Sequence, residues 1–522
     1  MAIAHFLSLN RATPEERRSL AWFSAGTVII AATWLLAISL PYAIWSVGIQ
    51  SVRNPFLRIE APERAAMWEF AFSFAAVTAG YAICLWAIRK GFPGSFRAAI
   101  IAAAITGAAV LPQVPFFSPD VTHFAADVRT FWIHGKYPPR CTDFQRAPTG
   151  ELFCGPGSGV PGAQNDPIGD QVVTYKNLPS GYGPVTYAVG GVTIPFTGTN
   201  LRAAVFGQKV LSGTLWVVVA GLAGLVAKRA GRDPAFVAAA IGLNPLFLLM
   251  FAGDGHNDTI MIALGMGALL LAIGASVRSR AGAVGLGLLS ALAKFSLMVT
   301  VPILAAHWFP RWRALLALVF FAGASGAILW IRLARGWGLG TAGPLIGTTE
   351  NTPYRLFNDG FDLGPDGRAT LVVIAYVAFF AVTALIMWRH RLASPADLVT
   401  ALGLQMAIFL FFFAPTLRFW YVAWGFPFIL LAGQRWLTAG ALTFTSVALA
   451  VLLMRNFGDT FQTDLGISNP KEIAVAFHWI TTIVAAFVVW RVGRPGAART
   501  VSRPESRASR RRAQRGPVRG KA

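Results

Sequence analysis

Repeated long runs of apolar residues are the feature that most constrains this chain. Hydrophobic residues make up 55% of its 522 residues and charged residues only 13%, whereas soluble domains carry about a quarter charged residues. A membrane helix needs about 20 apolar residues, while barrel strands alternate with period two. The runs therefore exclude a water-soluble enzyme and a disordered chain. The candidate spans are Leu20–Trp45, Met67–Ile88, Ala98–Leu111, Ala203–Ala227, Ala235–Phe251, Ile260–Ile273, Val284–Trp308, Ala314–Ile331, Ala369–Met387, Leu398–Phe413, Phe419–Leu431, Ala439–Leu453 and Ile473–Trp490.

The pattern predicts an all-α polytopic integral membrane protein with about 13 to 14 membrane segments. Residues 20–490 form the predicted membrane domain, with one long polar loop, 112–201, after the third span. Residues 1–19 and 491–522 flank it. The last segment is rich in Arg and contains Glu505 as its single acidic residue. Because no aromatic residues interleave these arginines, we expect a disordered tail near anionic lipids and not a nucleic-acid-binding segment.

Lys and Arg residues in short loops orient the chain in a plasma membrane. They precede the first span and follow spans two, four and six, which predicts that both termini are cytoplasmic and that the loop 112–201 is outside. These basic residues are Arg17, Arg18, Arg89, Lys90, Arg97, Lys228, Arg229, Arg232, Arg278 and Arg280. A single crossing by Val284–Trp308 would put the basic tail outside. We therefore predict that this segment enters and returns as two short helices that meet near Lys294.

Uncommon polar residues gather on the predicted external side. Four in the long loop recur at helical spacing, and they are Asp120, His123, Asp127 and His134. Two further groups are Gly253–Asp258 and Pro415–Tyr421. Acidic and His residues beside apolar spans are costly and tend to be functional. The grouping predicts a site at the outer membrane boundary, to which Lys294 would bring a cation that can bind phosphate.

The three cysteines divide into two kinds. Cys84 lies in an apolar run and is expected to be buried and inert. Cys141 and Cys154 share the long loop. If that loop faces an oxidising compartment, we expect them to form a disulfide. They do not have the CxxC spacing of a zinc site.

Several short motifs resemble those of GT-C glycosyltransferases. Asp120 followed by Gly135–Pro139 (Gly-Lys-Tyr-Pro-Pro) resembles their first external loop. The chain is similar to actinobacterial polyprenol-phosphate-mannose-dependent mannosyltransferases, both family 87 and the α-1,6-mannopyranosyltransferases. The other matching elements are Tyr182-Gly-Pro184, Asn244-Pro245, Gly255-His-Asn-Asp258 and the segment Arg418–Tyr421. Three features depart from the relatives' pattern, namely His123 in place of Tyr, Gly183 in place of Pro, and the insert Arg140–Asp170.

The resemblance implies a GT-C-like bundle and a membrane glycosyltransferase. Such an enzyme transfers a hexose, with mannose favoured, from a polyprenyl-phosphate donor to a lipid-linked or cell-envelope glycan on the extracytoplasmic face, with inversion. It implies no cofactor and no nucleic-acid partner. Asp120, His123 and His256 are residue types that bind metals, but the resemblance requires no metal. No Walker or dinucleotide-binding motif is present in the sequence.

The resemblance also suggests roles for individual residues. Asp120 is the predicted general base, and His256 and Asp258 are expected to orient the acceptor, with Asp258 as the alternative base. The candidates for the donor phosphate are Lys294, His123, Arg129 and Arg418. The candidates for sugar or acceptor binding are Tyr182, Asn257, Asp127, Trp420 and Tyr421. Plainer interpretations stay open: the acidic residues as helix caps, Lys294 as a snorkelling side chain, and the aromatic residues as membrane-interface anchors.

Three other functions compete with sugar transfer. A flippase or transporter for a lipid-linked sugar predicts broken helices with charges at the bilayer midplane and repeated halves. An O-antigen ligase or polymerase would be expected to use external Arg and His residues with its large loop near the C-terminus. A non-catalytic scaffold leaves the Asp120 and His256–Asp258 groups unexplained. The charges on one face and the early loop, 112–201, favour the glycosyltransferase.

Overall fold

The computed structural model describes most of the predicted membrane domain. The described residues are 12–44, 63–118, 120–135, 144–146, 152–154, 166–168, 182–274, 276–309, 312–313, 315–316, 318–320, 322–323, 365–390, 392–413 and 421–456. Several predicted features lie outside them. These are Cys141, Arg418, Trp420, the span Ile473–Trp490, the segment 491–522, and most of both the insert Arg140–Asp170 and the span Ala314–Ile331.

The described residues form helices and one small hairpin. The α-helices are α1 (Pro14–Ala32), α2 (Glu63–Lys90), α3 (Ser95–Val110), α4 (Asp120–Trp132), α5 (Pro184–Gly190), α6 (Ile194–Thr197), α7 (Leu201–Arg229), α8 (Pro234–Gly242), α9 (Pro245–Phe247), α10 (Asp258–Ala272), α11 (Val277–Ala293), α12 (Val301–Trp308), α13 (Pro365–Arg389), α14 (Pro395–Ile408), α15 (Val422–Leu431) and α16 (Arg435–Asn456). Stretches of π-helix cover Thr33–Ser39, Leu248–Gly253 and Phe409–Phe413, and 3₁₀ turns cover Gly191–Thr193 and Phe295–Thr300. The helical prediction is confirmed with one addition. The long loop contains an antiparallel pair, β1 (Phe144–Arg146) and β2 (Leu152–Cys154).

Local sequence signals begin several of these helices. Thr13 and Glu16 form a capping box at α1, since Thr13 Oγ1 accepts from Glu16 N at 3.2 Å and the Glu16 carboxylate accepts from Thr13 N at 2.7 Å. Asn244 is the N-cap of α9, because its Oδ1 accepts from Leu246 N at 3.1 Å. Its Nδ2 also donates to Thr445 Oγ1 of α16 at 3.0 Å. The Asn-Pro element therefore restarts a helix and ties it to α16.

Several helices fit the dimensions of a membrane. Four are long and apolar enough to cross one, and they are Pro14–Ser39, Ala65–Lys90, Leu201–Arg229 and Leu437–Met454. A pair bent by 46°, Pro234–Gly242 with Pro245–Gly253, adds a fifth if it forms one span. Shorter apolar helices are Ser95–Val110, Asp258–Ala272, Ser296–Trp308, Ile374–Arg389, Pro395–Phe411 and Val422–Leu431. This architecture agrees with a helical membrane protein, while the number and direction of the crossings stay predictions.

Small residues let the first two long helices approach closely. A Cβ atom added at Gly26 of α1 would lie 2.7 Å from the backbone oxygen of Gly80 and 2.7 Å from Cys84 Sγ, both on α2. Cys84 is fully buried, as the sequence predicts, and its Sγ contacts the backbone oxygen of Phe23 at 3.5 Å. The α1–α2 pair therefore forms a compact part of the core.

The helix α7 packs against the helices that position the polar residues of the candidate site. The helices α4, α8 and α10 all pack against it, and α11 packs against α10. The predicted interruption near Lys294 is present: α11 ends at Ala293, and Lys294 is extended, with φ −157° and ψ 133°. A 3₁₀ turn, Phe295–Thr300, then leads into α12. This interruption brings Lys294 to the beginning of α10.

Candidate active site

A buried ion pair joins the beginning of α10 to the end of α11. Lys294 Nζ donates to Asp258 Oδ1 at 2.7 Å, with side chains that are 5% and 0% exposed. Trp424 Nε1 of α15 donates to the same oxygen at 3.0 Å. The Asp258 carboxylate is therefore bound by side chains from two other parts of the chain, and these contacts favour a role other than helix capping.

Three aromatic rings surround the Lys294 ammonium. Nζ lies 4.7 Å from the ring centre of Tyr182, 4.9 Å from that of Tyr421 and 4.7 Å from that of Trp424. The last two rings stack with centres 4.0 Å apart. These distances are those of cation–π contacts. Lys294 does not snorkel to a membrane surface, because the rings and the Asp258 carboxylate hold its charge inside the protein.

The turn at Tyr182 is held against the end of α11. Gly183 N and Thr186 Oγ1 both donate to the backbone oxygen of Ala293, each at 2.8 Å. A Cβ atom at position 183 would lie 1.8 Å from the backbone oxygen of Leu292. Only glycine fits this approach without a shift of the backbone. This contact explains why glycine stands between Tyr182 and Pro184 in this chain.

We predict that Gly183→Ala lowers the thermal stability of the protein and separates Tyr182 from Lys294, because the added methyl group collides with the backbone of α11. The matched control is Gly285→Ala within α11, where an added Cβ meets nothing within 4 Å and alanine favours a helix by up to about 1 kcal/mol. The melting temperatures of both purified variants are measured by thermal unfolding monitored by size-exclusion chromatography. Equal melting temperatures for the two variants would contradict the close contact.

Asp120 begins α4 and lies beside His256. The distance from Asp120 Oδ2 to His256 Nδ1 is 3.8 Å, with Asp120 27% exposed and His256 fully buried. Asp120 N donates to Ser118 Oγ at 3.2 Å. One residue separates His256 from Asp258, which binds Lys294. Asp120, His256, Asp258 and Lys294 therefore form one polar cluster, which we call the central cluster.

The predicted polar face of α4 is present over its first two turns. His123 Nε2 lies 3.3 Å from Asp127 Oδ2, and Tyr187 OH of α5 donates to the same oxygen at 3.4 Å. His123 is 18% exposed and Asp127 is 8% exposed. Asp127 is positioned to orient the imidazole of His123, which follows Asp120 by one turn. His134, the last residue of the predicted face, lies beyond the end of α4.

Arg129 points to a different partner. Its guanidinium binds the carboxylate of Asp166 in the long loop, with Nε 3.0 Å from Oδ1. His134 Nε2 lies 3.1 Å from the same carboxylate. Both basic residues of the second half of the α4 region are therefore drawn to Asp166, away from the central cluster.

A second buried group lies beside the central cluster and consists of Asp254, which belongs to the predicted Gly253–Asp258 group, and Lys209, which was not predicted. Asp254 is fully buried, and its carboxylate accepts from Phe116 N at 2.9 Å and from Phe117 N at 3.2 Å. Burial raises the pKa of Asp254 to about 8, although these two N–H donors and the charge of Lys209 act in the opposite direction. Lys209 is fully buried in α7, and its Nζ donates to the backbone oxygen of Gln113. A lysine within an apolar span is a signal that could have identified it.

The Asn-Asp part of the His-Asn-Asp element contains buried polar atoms that make no protein hydrogen bond within the described residues. They include Asn257 Nδ2 and Asp258 Oδ2. Buried polar groups normally find a partner, so these two atoms have hydrogen-bonding capacity left. Within the described part of the chain, no group of three or more His, Cys, Asp or Glu side chains is arranged to hold a metal ion.

The geometry separates two acidic residues by accessibility. Asp120 is 27% exposed, whereas Asp258 is buried and bonded to Lys294. The structure brings together Asp120 with His256, and Asp258 with Lys294, Tyr182 and Tyr421. It keeps Arg129 apart, with Asp166.

Comparison with known proteins adds one match. Residues 155–310 match the MptA_B family, described as Alpha-(1->6)-mannopyranosyltransferase, N-terminal domain. The matched segment is a minority of the chain; it contains His256, Asp258 and Lys294, and Asp120 precedes it. No curated protein and no solved structure matches the chain. The family match confirms the resemblance to α-1,6-mannopyranosyltransferases over residues 155–310 and supports a glycosyltransferase of the mannosyltransferase type.

Proposed function

We propose that the protein transfers a mannosyl group from polyprenyl-phosphate-mannose to a hydroxyl group of a glycan acceptor, with inversion, on the extracytoplasmic face of the plasma membrane. The family match over residues 155–310 supports mannose as the sugar. The observation that carries the proposal is the partly exposed Asp120 carboxylate, 3.8 Å from His256 of the His-Asn-Asp element. The distribution of basic loops supports the face of the membrane.

In the proposed reaction Asp120 is the general base. The acceptor oxygen attacks the anomeric carbon of mannose, Asp120 takes the hydroxyl proton, and the bond from that carbon to the phosphate oxygen breaks. The bonding electrons leave with polyprenyl phosphate. Asp120 suits this role better than Asp258, because Asp258 is 0% exposed and bonded to the Lys294 ammonium. His256 Nδ1 lies 3.8 Å from the Asp120 carboxylate, within ion-pair distance.

The leaving phosphate needs a cation or hydrogen-bond donor beside it. Lys294 is neutralised by Asp258 and Arg129 by Asp166. His123 also pairs with a carboxylate, that of Asp127, but at 18% exposure it is more accessible than Lys294 or Arg129. It also lies one helical turn from Asp120, and it is therefore the proposed phosphate ligand in the described part of the chain. Arg418, outside the described residues, stays a second proposed ligand.

The aromatic and polar residues near Lys294 are the proposed sugar-binding surface. Tyr182 and Tyr421 present rings beside the Asp258–Lys294 pair, and rings of this kind bind the apolar faces of sugars. Asn257 keeps a buried amide group with hydrogen-bonding capacity. Trp420, outside the described residues, belongs to the same proposal, whereas Asp127 is better explained as the partner of His123.

A donor comparison tests the proposed function. The purified protein in nanodiscs is incubated with an alkyl α-1,6-dimannoside and one radiolabelled donor: polyprenyl-phosphate-mannose, polyprenyl-phosphate-glucose or GDP-mannose. We expect labelled trisaccharide from the first donor alone. Transfer from GDP-mannose, in the absence of polyprenyl phosphate, would contradict a lipid-phosphate donor. Transfer from the glucosyl donor alone would contradict mannose.

A further inference from the structure

Arg129 is engaged through all three of its guanidinium nitrogens. Nε donates to Asp166 Oδ1 at 3.0 Å, Nη2 donates to Asp166 Oδ2 at 3.1 Å, and Nη1 donates to the backbone oxygen of Gly198 at 2.5 Å. The two side chains are 7% and 5% exposed. A forked, charge-assisted pair of this kind is directional as well as strong. It connects α4 to the long loop and to the turn before α7.

Asp166 is itself anchored. Its Oδ1 accepts from Ile168 N at 2.9 Å, and its Oδ2 lies 3.1 Å from His134 Nε2. The side chain of Ile168 is fully buried in the main core. The segment Asp166–Ile168 is therefore fixed by charge on one side and by apolar burial on the other.

The helix that carries Arg129 also carries the proposed base. Arg129 lies about 13 Å from Asp120 along the axis of α4. We propose that the Arg129–Asp166 pair is a clamp that fixes α4 and so positions the Asp120 carboxylate beside His256. Arg129 and Asp166 are then positioning residues and touch no substrate. The inference rests on the proposed function of Asp120 as the base.

The clamp replaces the prediction that Arg129 binds the donor phosphate. A phosphate would have to displace both Asp166 and the Gly198 carbonyl from a buried guanidinium. Removing one partner of a buried ion pair leaves an uncompensated charge, which is strongly unfavourable. The contacts therefore favour a permanent pair.

Steady-state kinetics with polyprenyl-phosphate-mannose distinguish the two roles. If Arg129 and Asp166 form a clamp, Arg129→Gln and Asp166→Asn each lower kcat, by about 10²-fold for a displacement of about 1 Å, and leave the KM for the donor unchanged. The double variant Arg129→Met/Asp166→Leu regains much of kcat, because an apolar pair can replace a buried ion pair. If Arg129 binds phosphate, Arg129→Gln raises KM, Asp166→Asn does not, and the double variant regains nothing. That pattern, or wild-type kinetics in both single variants, overturns the clamp.

Hydrogen exchange of the intact protein tests the clamp without catalysis. We expect Asp166→Asn to accelerate exchange of the backbone amides of α4 by about 10-fold or more while those of α10 keep their rate, and Asp397→Asn in α14 serves as the matched control. Unchanged exchange in α4 overturns the clamp even in an active enzyme.

If the wild type transfers no mannose but Asp166→Asn still accelerates amide exchange in α4, the proposed function fails and the clamp stands. If the single variants do not fold, the double variant decides: wild-type exchange with recovered transfer supports the clamp, and wild-type exchange without transfer overturns it.

Discussion

Asp120→Asn is expected to lower kcat for mannosyl transfer by about 10²- to 10⁴-fold, the usual contribution of a general base. Asparagine preserves the size of the side chain but cannot take up the hydroxyl proton. The KM for polyprenyl-phosphate-mannose should stay near the wild-type value, because Asp120 acts on the acceptor. Asp120 is partly exposed at the beginning of a helix, so its loss should change stability by about 1 kcal/mol or less. Single-turnover transfer by purified protein measures the effect.

Two variants make this result specific. Asp397→Asn removes a carboxylate from the first turn of α14, an equivalent helix position outside the central cluster, and it should keep the wild-type rate. Asp258→Asn distinguishes the roles of the two acidic residues. It weakens the ion pair with Lys294 and should therefore lower the stability of the protein more than Asp120→Asn does. Transfer by Asp120→Asn at the wild-type rate would remove Asp120 from the chemistry.

Lys294→Met is expected to lower the free energy of unfolding by about 3–5 kcal/mol, the usual cost of leaving one partner of a buried ion pair uncompensated. The Asp258 carboxylate would stay fully buried with the Trp424 indole as its remaining donor. The cation–π contacts with Tyr182 and Tyr421 would also be lost. Thermal and denaturant unfolding of the detergent-purified protein, followed by tryptophan fluorescence, measures the change.

A matched surface variant and a double variant check the cause. Lys228→Met removes an exposed lysine from the last turn of α7 and should cost about 1 kcal/mol or less. Lys294→Met/Asp258→Leu removes both charges and should recover most of the lost stability. A Lys294→Met protein as stable as Lys228→Met would contradict the buried pair, and a double variant less stable than Lys294→Met would contradict its electrostatic origin.

Sequence periodicity and charge predicted much of this architecture. The spacing of Asp120, His123, Asp127 and His134 predicted a helix, and α4 is present, although His134 lies beyond its end. The distribution of basic loops predicted the break at Lys294, which is also present. The first feature depends on residues close together in the sequence, and the second depends on how the membrane distributes charged loops. Both can therefore be predicted from a single sequence. The number of crossings is harder to predict from apolar runs, because several apolar helices are too short to span a membrane by themselves.

Long-range pairing could not be obtained from the same patterns. Lys294 finds Asp258 from another helix, and Arg129 finds Asp166 from within the insert. Either side chain, considered without its partner, has the charge that a phosphate ligand needs. Trp424 lies in a run of apolar residues and shows no sequence signal for its hydrogen bond to Asp258. Tertiary contacts decide which charges are neutralised inside the protein and which can meet a substrate.

The role of Asp120 is tested most directly by a cryo-EM structure of Asp120→Asn in nanodiscs with bound polyprenyl-phosphate-mannose. We expect the mannose at the central cluster, with its anomeric carbon close enough to residue 120 for an acceptor hydroxyl to fit between them, and with the phosphate beside His123. A donor bound away from α4 and α10, with its phosphate on Arg129 or in a cavity that Asp120 does not reach, would contradict that role.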